Sequence, residues 1–497
     1  MQQLRYIESL SRRIRPIGVL CMSCLCVLTL TGCLVGPNYH PQEANVPSAW
    51  TGTAAPIKAT SEYANLVHWW TAFNDPNLTS LVVRAVKSNL DLKQAEARIR
   101  QARAQRGVVA SALWPAADAT ASYTRARTPG FGAPSVSANL FQTGLDAAWE
   151  LDVFGGTRRA VEAADADIQF AVEDRRDVLV TLVSEVALDY IDLRGFQQEI
   201  VIARNNLKAQ QETANVTRKR FQGGFVGALD VANADAQVAT TASVIPGLET
   251  SAQQTIYSLS VLLGLEPAAL LKELSPSSVI PTTPPDVPLG IPAELLRRRP
   301  DIRRAEAQIH AATANIGVAT ADLFPKFSLT GNLSFQNEHL NDLIVWKNRA
   351  WSYSPAVDWQ IFNAGRVSSN IEVQKALMQQ SVLTYQQTVL TALQDVENAL
   401  VAYTKEYQRR KSLVDSVAAN RKAVDYSTQL YTQGLTDFLN VLNAQRSLFA
   451  TEDALVVSTR NLSTDLVALY KALGGGWDSE SMASYQEQMT ISAEAGL

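Results

Sequence analysis

Few side chains in this 497-residue sequence could do chemistry, and their spacing argues against catalysis. His40, His68, His310 and His339 stand far apart, with none of the short spacings that gather metal ligands. His68, beside Trp69-Trp70, reads as a surface histidine packed on aromatic rings. Glu150, Asp152 and Asp358 could be taken for paired carboxylates of an acid–base mechanism, but each falls on the polar side of an alternating segment. Strand alternation alone accounts for them without catalysis. No P-loop and no Gly-rich dinucleotide fingerprint occurs. All four cysteines lie within residues 1–33, and if the segment before Cys33 is removed, that thiol is the one strong nucleophile left. An enzyme is not expected.

The surroundings of Cys33 point to modification. Arg5, Arg12, Arg13 and Arg15 precede an apolar run from Ile17 to Leu30, which reads as a signal peptide over residues 1–32. Leu30-Thr31-Gly32-Cys33 resembles the bacterial lipobox, in which the cysteine is lipidated and becomes the new N-terminus. Leu34 stands where lipoproteins held at the inner membrane carry Asp, so the outer membrane is favoured. The covalent lipid is the only non-protein group expected. The whole chain has 44 basic and 48 acidic side chains; without the four arginines and Glu8 of the leader, 40 and 47 remain, a mildly acidic balance. Nucleic-acid partners are therefore not expected. Beyond Cys33 no window is apolar enough for a membrane helix, so any spanning segment must be strand.

The elements behind these residues come in two copies, about 210 residues apart. Asp91-Leu92, Ala95-Glu96-Ala97 and Leu113-Trp114-Pro115 recur as Asp301-Ile302, Ala305-Glu306-Ala307 and Leu323-Phe324-Pro325. At the far end Phe221, Gly224 and Gly264 answer Tyr431, Gly434 and Gly474. The implied order is an N-terminal anchor segment at 33–76, a first repeat at 77–277, a Pro-rich linker at 278–291, a second repeat at 292–476 and a polar tail at 477–497 whose composition suggests disorder.

Each repeat should open with a helix of about 23 residues capped by Asp91 or by Asp301. Two amphipathic segments follow, 116–127 with 141–153 and 326–336 with 351–361, then a long helix, 157–222 or 366–433, and a returning helix, 228–264 or 437–473. The long helices would span roughly 100 Å, and Leu393, Leu400, Tyr407 and Val414 beside Val382, Val389, Val396 and Tyr403 make a seven-residue seam interrupted by Arg410. Two short helices stacked end to end would match one long helix. Pro246-Gly247 predicts a kink or break in the first returning helix.

The alternating segments carry one aromatic-rich apolar face and one polar face, as an outer-membrane barrel requires. Four strands cannot close, and an open edge in lipid leaves backbone groups unpaired at several kcal/mol each. Oligomerisation follows. A dimer's eight strands would be filled by side chains, whereas a trimer's twelve leave a water-filled lumen suited to the polar faces. The fold class is thus mainly α with a transmembrane β-barrel contribution, internally duplicated. A lipid-anchored coiled-coil scaffold without a pore remains as an alternative, although it has no use for the four amphipathic segments.

Gly36-Pro37-Asn38-Tyr39, Trp69-Trp70 with Phe73 and Asp75-Pro76, Phe154-Gly155-Gly156, Arg298-Arg299-Pro300-Asp301-Ile302, Gly365-Arg366 and the run from Leu469 to Trp477 together resemble the TolC-like outer-membrane efflux factors. They match the lipoprotein, NodT-type branch that serves resistance-nodulation-division pumps. The resemblance implies a homotrimer with an α-barrel in the periplasm and a twelve-stranded β-barrel in the outer membrane lipid. A periplasmic adaptor and an inner-membrane pump would be its partners, and multidrug resistance its role. A duct for type I protein secretion is the second alternative, which the lipobox and the Arg-Arg-Pro-Asp-Ile run argue against. The resemblance also places Gly224 and Gly434 in turns at the periplasmic tip and keeps the family's tip tyrosine as Tyr431. Where relatives carry acidic rings this chain has Asn440 and Asn443, with Asp230, Asp425 and Asp437 near enough in sequence to restore charge.

Overall fold

The computed structural model describes residues 34–43, 46–51, 64–128, 135–281, 289 and 292–478. Cys33 and the leader lie outside them. The helices are α1 (Ala64–Val67), α2 (Pro76–Ser88), α3 (Leu90–Ser111), α4 (Gly156–Gln222), α5 (Ala228–Leu262), α6 (Leu271–Leu274), α7 (Pro292–Arg298), α8 (Pro300–Ala321), α9 (Arg366–Thr432) and α10 (Phe438–Ala472). The strands are β1 (Ala116–Thr128), β2 (Val136–Leu151), β3 (Lys326–Asn337) and β4 (Arg349–Asp358). The described residues form two compact units: one lies within residues 1–43, 98–171 and 304–385, the other within residues 44–97, 172–303 and 386–497.

The first unit holds an antiparallel meander in the order β1-β2-β3-β4. Its helix-to-strand corners are built twice from one bond: the Trp149 indole donates to the Leu113 carbonyl at 3.0 Å, and the Trp359 indole to the Leu323 carbonyl at 3.1 Å. The strand ends differ from the sequence reading. Pairing draws β2 up to Val136, opposite Thr128. At the other end Asp152 leaves the ladder to accept hydrogen bonds from the backbone N–H groups of Thr157 and Arg158, at 3.1 and 2.9 Å, capping α4. β4 begins at Arg349 and stops at Asp358, because Trp359 turns away to the helix corner.

The Gly36–Tyr39 run is a strap across this unit. Arg159, only 1% exposed, donates to the Val35 carbonyl at 3.0 Å, the Asn38 side chain at 2.8 Å and Glu162 at 2.7 Å. Tyr39 stacks on His310 at 4.4 Å, and its hydroxyl donates to Glu306 at 3.0 Å. Gly36 lies so close to Gly317 that a Cβ there would meet its Cα at 2.4 Å.

The second unit carries the main apolar core. Trp69 stacks on Tyr470 at 5.2 Å, and Trp70, Phe73, Leu78, Val183, Leu400 and Leu466 close around them. Asp75 caps α2 through the backbone N–H groups of Asn77 and Leu78, and its other oxygen accepts the Tyr190 hydroxyl at 2.8 Å. The coiled-coil seam of α9 is divided: Val389, Val396, Leu400 and Tyr403 are buried, whereas Tyr407 and Val414 are exposed, and Arg410 bonds Thr459 at 3.0 Å. α5 runs unbroken through Pro246, so the expected break does not occur. Trp477, assigned to the tail, is packed instead: its indole donates to the Arg298 carbonyl at 3.0 Å, and the Arg176 guanidinium covers its ring at 4.5 Å.

The short helices do meet end to end. At each C-terminus a left-handed glycine, Gly264 at φ 68° or Gly474 at φ 72°, closes a Schellman turn, with Leu265 N–H to the Ser260 carbonyl and Gly475 N–H to the Tyr470 carbonyl, both at 2.9 Å. Remaining carbonyls are taken by the next helix start: Ser88 and Asn89 donate to Leu263 and Leu262, and Arg299 donates to Ala472 at 3.1 Å. Asp91 and Asp301 are therefore not the caps. Asn89 accepts the Leu92 N–H at 2.9 Å, and Pro300 is itself the first residue of α8. At the far ends Gly224 and Gly434 make the same turn at φ 77° and 80°.

These glycines should differ in their sensitivity. Gly224→Ala meets open space and should cost only the left-handed conformation, about 1–2 kcal/mol. Gly264→Ala adds a Cβ 2.8 Å from the Ser88 carbonyl oxygen and should cost clearly more. Thermal melting of the two purified variants checks the order.

Candidate functional site

The sheet's register aligns its faces. Trp149 stands opposite Leu329 and Leu329 opposite Pro355; Leu145 pairs Leu333, which pairs Trp351. One face is therefore continuous from Ala117, Ala119 and Tyr123 through Phe141, Leu145 and Trp149 to Phe327, Leu333, Tyr353 and Val357. The other carries Ser122, Gln142, Asn332, Ser352 and Ser354 with Asp118 opposite Asp146. Asp146 is held by Asn332 at 2.6 Å and Thr120 at 3.1 Å. Glu150 pairs Ser328 across the ladder and Asp358 pairs Lys326, while Asp152 is the helix cap; they form no common site. β1 and β4 are edges, and Leu145, Trp351, Tyr353 and Val357 are more than half exposed. Among the described residues no helix is long and apolar enough to cross a membrane, and no group of three or more His, Cys, Asp or Glu side chains could hold a metal ion.

The hairpin ends of the second unit gather most of the tip residues. Tyr431 is buried against Phe438, Val441, Leu442, Ala214 and Ala234. Its hydroxyl donates to Thr217 at 3.2 Å; the Arg220 guanidinium covers its ring at 4.6 Å and donates to its backbone carbonyl. Asp437 occupies the N-cap position of α10 without making a side-chain cap, and Asn440 donates to Thr436 at 2.8 Å. Asp437, Asn440 and Asn443 recur every three residues and are exposed. Asp230 is half-buried in the first turn of α5, and Asp425 is exposed on α9.

Arg220 and Thr217 were not singled out in the sequence. The available signal is an asymmetry, since Arg220 answers Leu430 in the other repeat. Two further bonds tie one hairpin to the other, Gln445 to Thr213 at 2.9 Å and Arg446 to Gln237 at 2.6 Å, and Arg218 to Asp235 at 2.7 Å joins the two arms of the first hairpin.

Midway along α4 lies a cluster that periodicity did not reveal. Gly195 lets the Arg460 side chain cross, since a Cβ there would sit 2.5 Å from its Cδ. The guanidinium stands 5.2 Å over Phe196, 3.4 Å from Glu199 and 3.5 Å from Asp192. Burial pushes Glu199 up to about 7; Arg460 opposes this, and Asp453 and Asp192 add to it. Burial also raises Asp192, Asp453 and Asp189, the last despite a 2.6 Å hydrogen bond from Ser258. One cation thus serves several desolvated carboxylates.

The family model for the outer membrane efflux protein matches residues 81–265 and again 291–475, the same shift as the internal repeat. The chain is 32% identical to Nodulation protein T of Rhizobium leguminosarum bv. trifolii over 458 residues, 92% of this chain and 97% of that one. It is 31% identical to the toluene efflux pump outer membrane protein TtgF of Pseudomonas putida over 471 residues, 91% and 96% of the two. The solved outer-membrane channel OprN superposes with a TM-score of 0.83 at 38% identity, covering 90% of this chain and all of that one.

The Glu199 cluster sets a pH dependence. Its folded pKa lies above the ordinary value of 4.5, so folding takes up a proton between 4.5 and about 7. The stabilisation is complete below that window and is lost as pH rises through about 7. Melting temperature should therefore fall between about pH 5 and pH 8. Glu199→Gln should flatten this fall and melt above the wild type at the alkaline end.

Proposed function

Because the chain belongs to the outer membrane efflux protein family, we propose that three copies close their sheets into one twelve-stranded barrel and join a periplasmic adaptor and an inner-membrane resistance-nodulation-division pump. The chain is a TolC-like, NodT-type outer-membrane channel of a tripartite efflux system and extends from the outer membrane into the periplasm. The observation that carries the assembly is the open sheet, in which the outer edges of β1 and β4 have no partner strand among the described residues and one apolar face runs across all four strands. Unpaired backbone groups cost several kcal/mol each in hydrocarbon, and a neighbour's strand is the partner of matching length. Exposed apolar side chains along α9, Val373, Leu377, Leu383 and Leu390 among them, support the same closure in the helices. The chain acts as a conduit without catalysis, and its cargo is small toxic compounds chosen by the pump.

Two finer points complete the reading. Cys33 carries the covalent lipid, so the chain is both anchored and spanning. The resting tip is closed by packing around Tyr431 and by neutral hydrogen bonds, because two of the three positions of the exposed stripe are the amides Asn440 and Asn443, with Asp437 the one carboxylate beside them.

Arg at Leu329 or Val357, on the apolar face, should cost about 2–4 kcal/mol near the bilayer midplane and reduce assembled trimer, whereas Arg at Thr330 or Ser354 should be tolerated. Gel analysis of membrane extracts reads this, and equal loss from both pairs would overturn the assignment of faces. Cys33→Ala should lose the acyl mass by intact-mass spectrometry yet still form trimers, since the barrel buries its own apolar surface. A trivalent cation added from the periplasmic side should block single-channel conductance weakly. Strong block that vanished in Asp437→Asn or Asp230→Asn would show that those carboxylates close the tip.

A further inference from the structure

Charge on the sheet is sorted by face and by height. The strands contain three arginines and four carboxylates. Asp118, Asp146, Glu150 and Asp358 all have the parity of the polar face, together with Lys326. Arg125, Arg127 and Arg349 all have the parity of the apolar face, where no acidic residue occurs. All three stand at one end. Arg125 and Arg127 occupy the last turns of pleat before Thr128, where β1 ends, and Arg349 opens β4. That is the end away from the helix corners at Leu113 and Leu323, and so the outer one.

An arginine on a lipid-facing position is costly near the midplane and tolerated at the interface, where its guanidinium can reach a charged headgroup. These three are exposed and placed for that. Arg349 donates to the Trp346 carbonyl at 2.8 Å and lies 4.5 Å over the Trp346 ring, which leaves its outer donors free to bind. Arg127 is steadied by the Ser135 hydroxyl at 2.7 and 3.0 Å. Directly below Arg349 on the same face, Trp351 and Tyr353 stack at 6.2 Å, the aromatic band expected at a membrane–water boundary. Lys347 adds a fourth exposed cation in the adjoining loop. The same loop carries Glu338 and Asp342, and neither makes a salt bridge with these arginines among the described residues.

We propose that this patch binds the phosphate groups of an outer-leaflet glycolipid at the seam between copies. β1 and β4 are the two edges of one sheet, so closure sets Arg125 and Arg127 of one copy one strand spacing, about 4.8 Å, from the strand that carries the next copy's Arg349. Guanidinium pairs from two copies then converge on one headgroup, the planar donor geometry that suits phosphate. The lipid bridges neighbouring copies at the outer rim. The inference rests on the membrane-spanning trimer proposed above.

The test uses the purified full-length protein, lipid A bearing two phosphates and the same lipid A with both removed, with native mass spectrometry as the readout. The wild type should hold the phosphorylated lipid at least about tenfold more tightly, as expected for a few charge-assisted hydrogen bonds. The triple variant Arg125→Gln, Arg127→Gln, Arg349→Gln should lose that preference, and the corresponding triple Lys variant should keep most of it. Inorganic phosphate at millimolar concentration should not displace the lipid. Equal binding of both lipids by the wild type, an undiminished preference in the Gln variant or displacement by free phosphate would each overturn the proposal. Planar-bilayer recording separates the two levels. Wild type that inserts and conducts but shows no phosphate preference refutes this site alone, whereas wild type that does not insert removes the spanning reading and the site together.

Discussion

Unpaired backbone at two strand edges is the constraint on which the architecture turns. A meander of four strands leaves β1 and β4 with free N–H and C=O groups, and hydrocarbon supplies no water to satisfy them. No rearrangement within one chain removes those edges, because the strands between them already use both sides. Association is then a folding requirement rather than an addition to a finished monomer. The helices carry the same mark. α8 buries Ile302, Ala311, Ala314, Ile316 and Ala319 within one chain, whereas its counterpart α3 buries only Leu92, Ala95 and Ile99. The copy of the opening helix that is enclosed and the copy that is left exposed have the same ancestry, and the difference lies in which neighbours one chain can provide.

Duplication explains how so long a chain keeps register. Left-handed glycines close all four ends of the hairpins, and the corner tryptophans repeat at the same shift. The joints between stacked helices are solved differently, however. Ser88 and Asn89 satisfy the first set of terminal carbonyls with neutral donors, while Arg299 does so at the second and also pairs Asp301 at 2.7 Å and Asp395 at 3.0 Å. Both answer one requirement, that helix-end carbonyls buried at a junction find donors. The second copy adds charge, and this gives the Arg-Arg-Pro-Asp-Ile run its physical content.

Periodicity and punctuation made most of this legible in the sequence. Long stretches without glycine or proline located α4 and α9, and strict alternation located the sheet and its two faces, since both signals are local and repeat many times. What escaped depends on single long-range contacts. Nothing local distinguishes Arg159 from other helix arginines until the Gly36–Tyr39 strap lies over it, and Gly195 is intelligible only with Arg460 lying across it. Asp91 has the residue type of a cap, but Asn89, two residues earlier and outside the helix, is the side chain that accepts the Leu92 N–H. Pro246 does not break α5, and at that length the helix has many other hydrogen bonds to hold it.

The two ends of the second unit differ in what they bury, and that difference bears on which part can move. Around Trp69 and Tyr470 the core is apolar and aromatic and draws on many elements. Toward the tip it shrinks to the small group around Tyr431, and the neighbouring buried positions are polar, with Gln210, Thr217, Gln237, Thr241 and Gln445 inside. Neither end of the Gln210 amide has a hydrogen-bond partner among the described residues. Amide and hydroxyl contacts can be exchanged for water or for one another at little net cost, whereas parting apolar faces loses burial in proportion to area. Local opening free energy therefore falls from the Trp69 end to the Tyr431 end. The hairpin ends can separate while the core that holds the helices together stays closed.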